Sequence, residues 1–248
     1  MENGLNVSGR SGVIFQVSLL QGLASGDYFG SVATGELKKH GDTGIGTFNR
    51  LNGELIMLDG KVYRASGEGN VEIVSDDETT PFAVVSFMNA DLTKNLKNIP
   101  NFDSLERELN LLVEDNGANR FYMIRIDGIF SNINVRSINA QNQPYRRLSE
   151  VLENDQTIFN YENICGTLVG IYCPPYMAAL NAAGWHLHFI SEDKSRGGHV
   201  LNLNIADAAL AMSCADNFEL RLPHGEMFSR LDLSAIRSDE IEKIEKNR

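Results

Sequence analysis

The feature that most restricts how this chain can fold is a run of hairpin signals. Four short apolar-rich segments, 45–48, 54–58, 62–65 and 71–74, are separated by Asn52-Gly53, Asp59-Gly60 and Gly67-Glu68-Gly69. Asn-Gly and Asp-Gly favour tight hairpin turns, because both central residues must reach positive φ. Segments joined in this way pair with their neighbours, so an antiparallel meander is expected.

Elsewhere the pattern is mixed. Residues 15–23 read as a short apolar helix, and a second helix opens at Thr34, whose side chain can accept from a first-turn amide, and stops at Gly41. A strand is expected over 82–88. Asp103 and Glu106 form a capping box for a helix with Leu105, Leu109 and Leu112 on one face, closed by Gly117. Residues 121–126 and 129–138 read as strands paired around Asp127-Gly128. Ile133 and Val135 alternate with Asn134 and Arg136, so Arg136 points away from the Val135 side.

A polar stretch at 141–155 marks a soft boundary. Beyond it, strands are expected at 156–162, 164–172, 185–190, 199–204 and 218–222. Helices are expected from Pro174-Pro175 to Gly184 and across 206–214. The fold class is α+β: two sheet-containing lobes with mixed or antiparallel sheets and packed helices. The expected divisions are a β-rich N-terminal lobe at 1–145, a C-terminal lobe at 146–236 and a tail at 237–248.

A chain of 248 residues can bury a substantial core. Its formal net charge of -11 makes phosphate backbones and anionic membranes poor partners, while one or two arginines in a concave site can still attract a small anion. Cys165, Cys173 and Cys214 form neither a CxxC pair nor a secreted-type ladder, and are expected to be buried free thiols in a reducing compartment. No segment has the apolar length of a secretion signal or a membrane span, so a cytoplasmic location is expected.

Chemistry concentrates in one place. Trp185-His186-Leu187-His188-Phe189 alternates strictly, so in a strand both imidazoles leave one face while Trp185, Leu187 and Phe189 enter a core on the other. Arg196-Gly197-Gly198 lets the chain reverse, and His199 opens the returning strand within reach of the same ion. Three of the five histidines thus fall on adjoining strands. Three neutral imidazoles suit zinc, and also iron, nickel or copper, and leave a coordination position open for water or substrate. His40 and His224 have no such setting and read as structural or solvated. Gly67-Glu68-Gly69 is a turn and no phosphate-binding fingerprint, so no organic cofactor is expected.

The chain resembles the acetolactate decarboxylase family. The resemblance runs through 44–48, 51–60, 126–130, the stretch around Arg136, and above all Gly184-Trp-His-Leu-His-Phe-Ile190 with Gly197-Gly-His199. It implies zinc held by His186, His188 and His199, and removal of carbon dioxide from 2-acetolactate to give acetoin. It also implies roles for Arg136, for Glu54 as a catalytic acid and for Thr47 in lining the site. The family's C-terminal tail folds back over the site and supplies a second glutamate. Spacing favours Glu245 as its match, with Glu242 the alternative. The expected partner is that small anionic substrate, with a homodimer as a further expectation. Two other readings of the histidines stay open on residues alone: another three-histidine metalloenzyme, an oxygenase or hydrolase, and a non-enzymatic regulatory module.

Overall fold

The computed structural model describes residues 12–178 and 180–233. In chain order it begins with β1 (Val13–Val17), α1 (Leu20–Ala24), β2 (Val32–Ala33), α2 (Thr34–Leu37), β3 (Thr43–Thr47), β4 (Glu54–Leu58), β5 (Lys61–Ala65) and β6 (Val71–Ile73). β7 (Thr79–Thr80), β8 (Ala83–Ser86), β9 (Leu92–Ile99), α3 (Phe102–Asn116), β10 (Phe121–Ile138) and α4 (Leu148–Asp155) follow. The last elements are β11 (Gln156–Cys173), β12 (Gly184–Ser191), β13 (Gly197–Ala215), β14 (Asn217–Arg221) and α5 (Glu226–Arg230).

The expected meander is present. Strands β3 to β6 pair antiparallel in sequence order, and Asp59 and Gly60 both have positive φ, 52° and 72°, as a tight hairpin between β4 and β5 requires. The meander extends into a seven-stranded sheet ordered β14-β1-β8-β3-β4-β5-β6, made mixed by the parallel pairing of β1 with β14. The second sheet curls onto itself. β10 pairs with β11, β11 with β12, β12 with β13, and β13 returns to β10 along most of its length, while β9 adds to the other edge of β13. The chain passes from the first sheet to the second between β8 and β9 and returns at Asp216; the loop at 139–147 followed by α4 joins β10 to β11 within the second sheet. The α+β class with two main sheets is therefore observed.

Three apolar clusters organise these layers. One fills the curled sheet, where Trp185, Leu187 and Phe189 meet Ile124, Phe130 and Val135 and are covered by Phe102, Leu105 and Leu109 of α3. A second lies between the two sheets and includes Ile45, Ile56, Ile171 and Ile190 together with leucines of α1 and α4. The third backs the first sheet, with Phe15, Phe48 and Leu55 among its members.

Several sequence expectations change. Residues 13–17 are a strand, not the start of a helix: Val13, Ile14 and Val17 suit a strand with neighbours on both edges, and only 20–24 turn helical after Ser18 at φ 61°. Asp127-Gly128 makes no turn, because β10 runs straight through it with Asp127 opposite Thr167. The segments 156–162 and 164–172 are likewise one strand. Residues 206–214 belong to β13, where paired strands on both sides override an alanine-rich composition; Ala208, Leu210 and Met212 are buried in alternation. The helix expected after Pro174-Pro175 is a single 3₁₀ turn, Pro175–Met177.

The caps also differ. Asn101 caps α3 by accepting from the Ser104 amide at 2.9 Å, in place of the Asp103 and Glu106 box, while Gly117 closes the helix as expected. Thr34 is the first residue of α2, and its hydroxyl donates to the Ser75 carbonyl. Of the cysteines only Cys173 is fully buried; Cys214 is half-buried and Cys165 exposed. His40 stacks on Phe15 with ring centroids 3.8 Å apart, and His224 is exposed. Among the described residues no helix is long and apolar enough to cross a membrane.

Candidate metal and active site

Alternation along β12 sends Trp185, Leu187 and Phe189 into the curled sheet and leaves His186 and His188 on its outer face, which packs against β4 of the first sheet. β13 brings the third histidine. His199 lies directly opposite His188 across the β12–β13 pair, and opposite Arg136 across the β10–β13 pair. Gly198 permits this double approach. It sits at φ 152°, and a Cβ there would lie 2.6 Å from the Arg136 carbonyl oxygen. The first sheet contributes Thr47 and Glu54, which face each other across β3 and β4.

Three imidazole nitrogens converge. His186 Nε2 lies 3.2 Å from His188 Nε2 and 3.0 Å from His199 Nδ1. His188 Nδ1 donates to the Leu55 carbonyl at 2.9 Å; a carbonyl can only accept, so the Nε2 of a neutral His188 presents a lone pair to the cluster. Burial first, then the Arg136 charge, lowers the His186 pKa to about 3. Burial and neighbouring His186 hold His188 well below the usual histidine range, against the raising effect of its bond to Leu55. Both rings are therefore neutral near pH 7.

This donor set fits a metal. Ligand nitrogens at about 2.0–2.1 Å in a tetrahedral site stand roughly 3.3 Å apart, close to the separations observed. Nitrogens at these separations can share an N–H hydrogen or, with their lone pairs turned inward, a single cation. Among the described residues, this is the one group of histidine, cysteine or acidic side chains placed to hold an ion.

Around the histidines lies a partly open cavity, whose empty space counted out through its mouth is about 440 Å³. Its polar wall comprises Thr47, Glu54, Arg136 and the histidines, each at most 9% exposed. Glu54 Oε2 stands 3.6 Å from His188 Nε2. Because His188 is neutral, this contact is not an ion pair. Thr47 donates its hydroxyl hydrogen to the Gly53 carbonyl at 2.8 Å, which leaves its oxygen to accept. All six residues singled out from the sequence within the described part are thus brought together. Glu245 and Glu242 lie outside the described residues.

The apolar part of the lining has no counterpart in the sequence reading. Leu20 and Leu23 of α1, Leu148 and Leu152 of α4, and Leu51, Phe82 and Ile138 complete the cavity. The spacing of Leu148 and Leu152 marks a helix face, but nothing local says that this face lines a site.

Comparison with known proteins agrees with this geometry. The family model for alpha-acetolactate decarboxylase matches residues 14–235. The alpha-acetolactate decarboxylase of Methanosarcina mazei is 39% identical over 95% of this chain and 81% of its own length, and that of Bacillus subtilis 37% identical over 89% and 85%. The crystal structure of the Bacillus subtilis enzyme superposes with a TM-score of 0.89 at 35% identity, covering 94% of this chain and 98% of that one. A family match of this extent sets aside both the oxygenase or hydrolase and the regulatory-module readings. The chain belongs to the alpha-acetolactate decarboxylase family.

Proposed function

We propose that this protein converts 2-acetolactate to acetoin and carbon dioxide, using one divalent ion, zinc by family resemblance, held by His186, His188 and His199. The observation that carries the reading is the convergence of three imidazole nitrogens in a buried cavity that also holds Arg136 and Glu54. 2-Acetolactate bears its carboxylate on a carbon that also carries a hydroxyl and a ketone. Loss of carbon dioxide leaves an electron pair on that carbon, and the neighbouring carbonyl takes it up as an enediolate. When bound, the ion supplies Lewis-acid stabilisation of the developing oxygen charge, so no organic electron sink is required.

The side chains divide the remaining work. Arg136 offers a permanently charged planar fork to the carboxylate or to an enediolate oxygen, inside a cavity where weak screening by water strengthens the attraction. Glu54, buried beside His188, is placed to deliver the proton that the enediolate carbon needs. Thr47 accepts from a substrate hydroxyl. Glu245 of the tail is part of the same proposal by family resemblance, as is a homodimer; free cysteines support a cytoplasmic location.

The test is direct. Zinc-loaded protein incubated with racemic 2-acetolactate should release acetoin and carbon dioxide in equal amounts, well above the spontaneous rate. Acetoin formation no faster than in buffer would overturn the reading.

A further inference from the structure

We infer that the apolar wall formed by Leu20 and Leu23 of α1 and Leu148 and Leu152 of α4 sets the size of the alkyl groups a substrate can carry beside its reacting carbon. The inference rests on the decarboxylation proposed above. In such a substrate the carboxylate, hydroxyl and ketone match the polar wall of Thr47, Glu54, Arg136 and the histidines. Two alkyl groups remain, and the cavity offers them the leucines.

A wall selects by size only if it cannot move aside. α1 has five residues, too few to stand alone as a helix, so its position is set by what holds it. Behind its first turn lies a fully buried amide pair. Gln16 donates through Nε2 to the Ser18 carbonyl at 2.8 Å and the Leu180 carbonyl at 2.9 Å, and its Oε1 accepts from Asn181 at 2.8 Å. Asn181 Oδ1 accepts in turn from the Ala182 amide, and the Leu20 amide donates to the Leu180 carbonyl. Breaking such a network leaves buried polar groups unsatisfied, so α1 stays where the network puts it.

The same segment runs directly into β12, so the leucines of α1 and the histidines of β12 are positioned from one shared anchor. Phe228 of α5 lies beside α1, where a Cβ added at Gly22 would stand 3.4 Å from its ring. α4 packs against α1, with Leu148, Val151 and Leu152 buried; the carbonyl of Arg146, just before it, accepts from the Tyr28 hydroxyl at 2.8 Å. Leu20, Leu23, Leu148 and Leu152 thus bound the space into which a larger alkyl group would have to extend.

The experiment compares kcat/KM for 2-acetolactate with that for its homologue bearing an ethyl group in place of the methyl on the reacting carbon. A methylene in an apolar pocket is worth about 10–200-fold in discrimination. Leu152→Ala should raise the ethyl-to-methyl ratio at least tenfold, Leu152→Phe should lower it, and bound metal should stay at the wild-type level in both. Leu23→Val, a smaller change that keeps the fold safer, should move the ratio in the same direction as Leu152→Ala. An active wild type whose ratio is unmoved in all three variants would overturn the inference while leaving the reaction standing. A wild type inactive on both substrates would overturn the reaction and the inference together.

Discussion

The two walls of the cavity are built by different physics. The polar wall stands on strands: Thr47 opposite Glu54, His188 opposite His199, and His199 opposite Arg136 are all register partners in hydrogen-bonded ladders. Four of the seven residues of the apolar wall stand on two short helices held by packing and by a few buried polar contacts. A ladder fixes side-chain direction and spacing residue by residue, which is what charge stabilisation and metal ligation require. A packed helix fixes a surface, and a surface selects by volume. The contrast predicts that substitutions in the first wall remove chemistry, and that substitutions in the second alter which substrate is used.

The largest expected effect lies in the ladder wall. Arg136→Lys keeps the charge and loses the fork, so kcat should fall about tenfold or more while the melting temperature stays close to that of the wild type; each factor of ten corresponds to roughly 1.4 kcal/mol. Wild-type kcat in a folded variant would remove Arg136 from the chemistry.

A smaller effect separates the walls by pH, since only one of them titrates. His186 has its pKa lowered to about 3 in the folded chain, and His188 is lowered as well. The unfolded chain therefore binds these protons first as pH falls. Stability that is fully present above the ordinary histidine value of about 6.5 should be lost progressively as pH drops towards 3. Denaturant midpoints of metal-free protein should decline over this range. Replacing His186 with a similar-sized neutral residue should flatten the decline; an equal slope in that variant would show that other groups carry it.

The same contrast explains what could be read from the sequence. The histidines of the ladder wall are legible because a strand repeats every two residues: alternation in 185–189 places both imidazoles on one face, and the glycines before His199 announce the return; alternation around Val135 gives the direction of Arg136, but its role and those of Thr47 and Glu54 come only from the family resemblance. The alternations and the glycines are local facts. The helical wall was not legible as a site, because it depends on residues 20–23 meeting residues 148–152, and no local pattern encodes that meeting. Misread elements fail for the same reason. Residues 206–214 look helical in composition, but β13 is paired on both edges, and that pairing decides their conformation. Asp127-Gly128 has the chemistry of a turn, yet continuous pairing of β10 with β11 and β13 holds it extended.

The central claim is that turnover depends on one ion bound by three histidines, and titration of metal-stripped protein with zinc tests it most directly. Acetoin formation should be negligible at the start, rise in proportion to zinc and stop rising at one ion per chain, and His199→Ala should show neither the rise nor tight binding. Full acetoin formation by metal-free protein, or a wild-type titration curve from His199→Ala, would contradict the account.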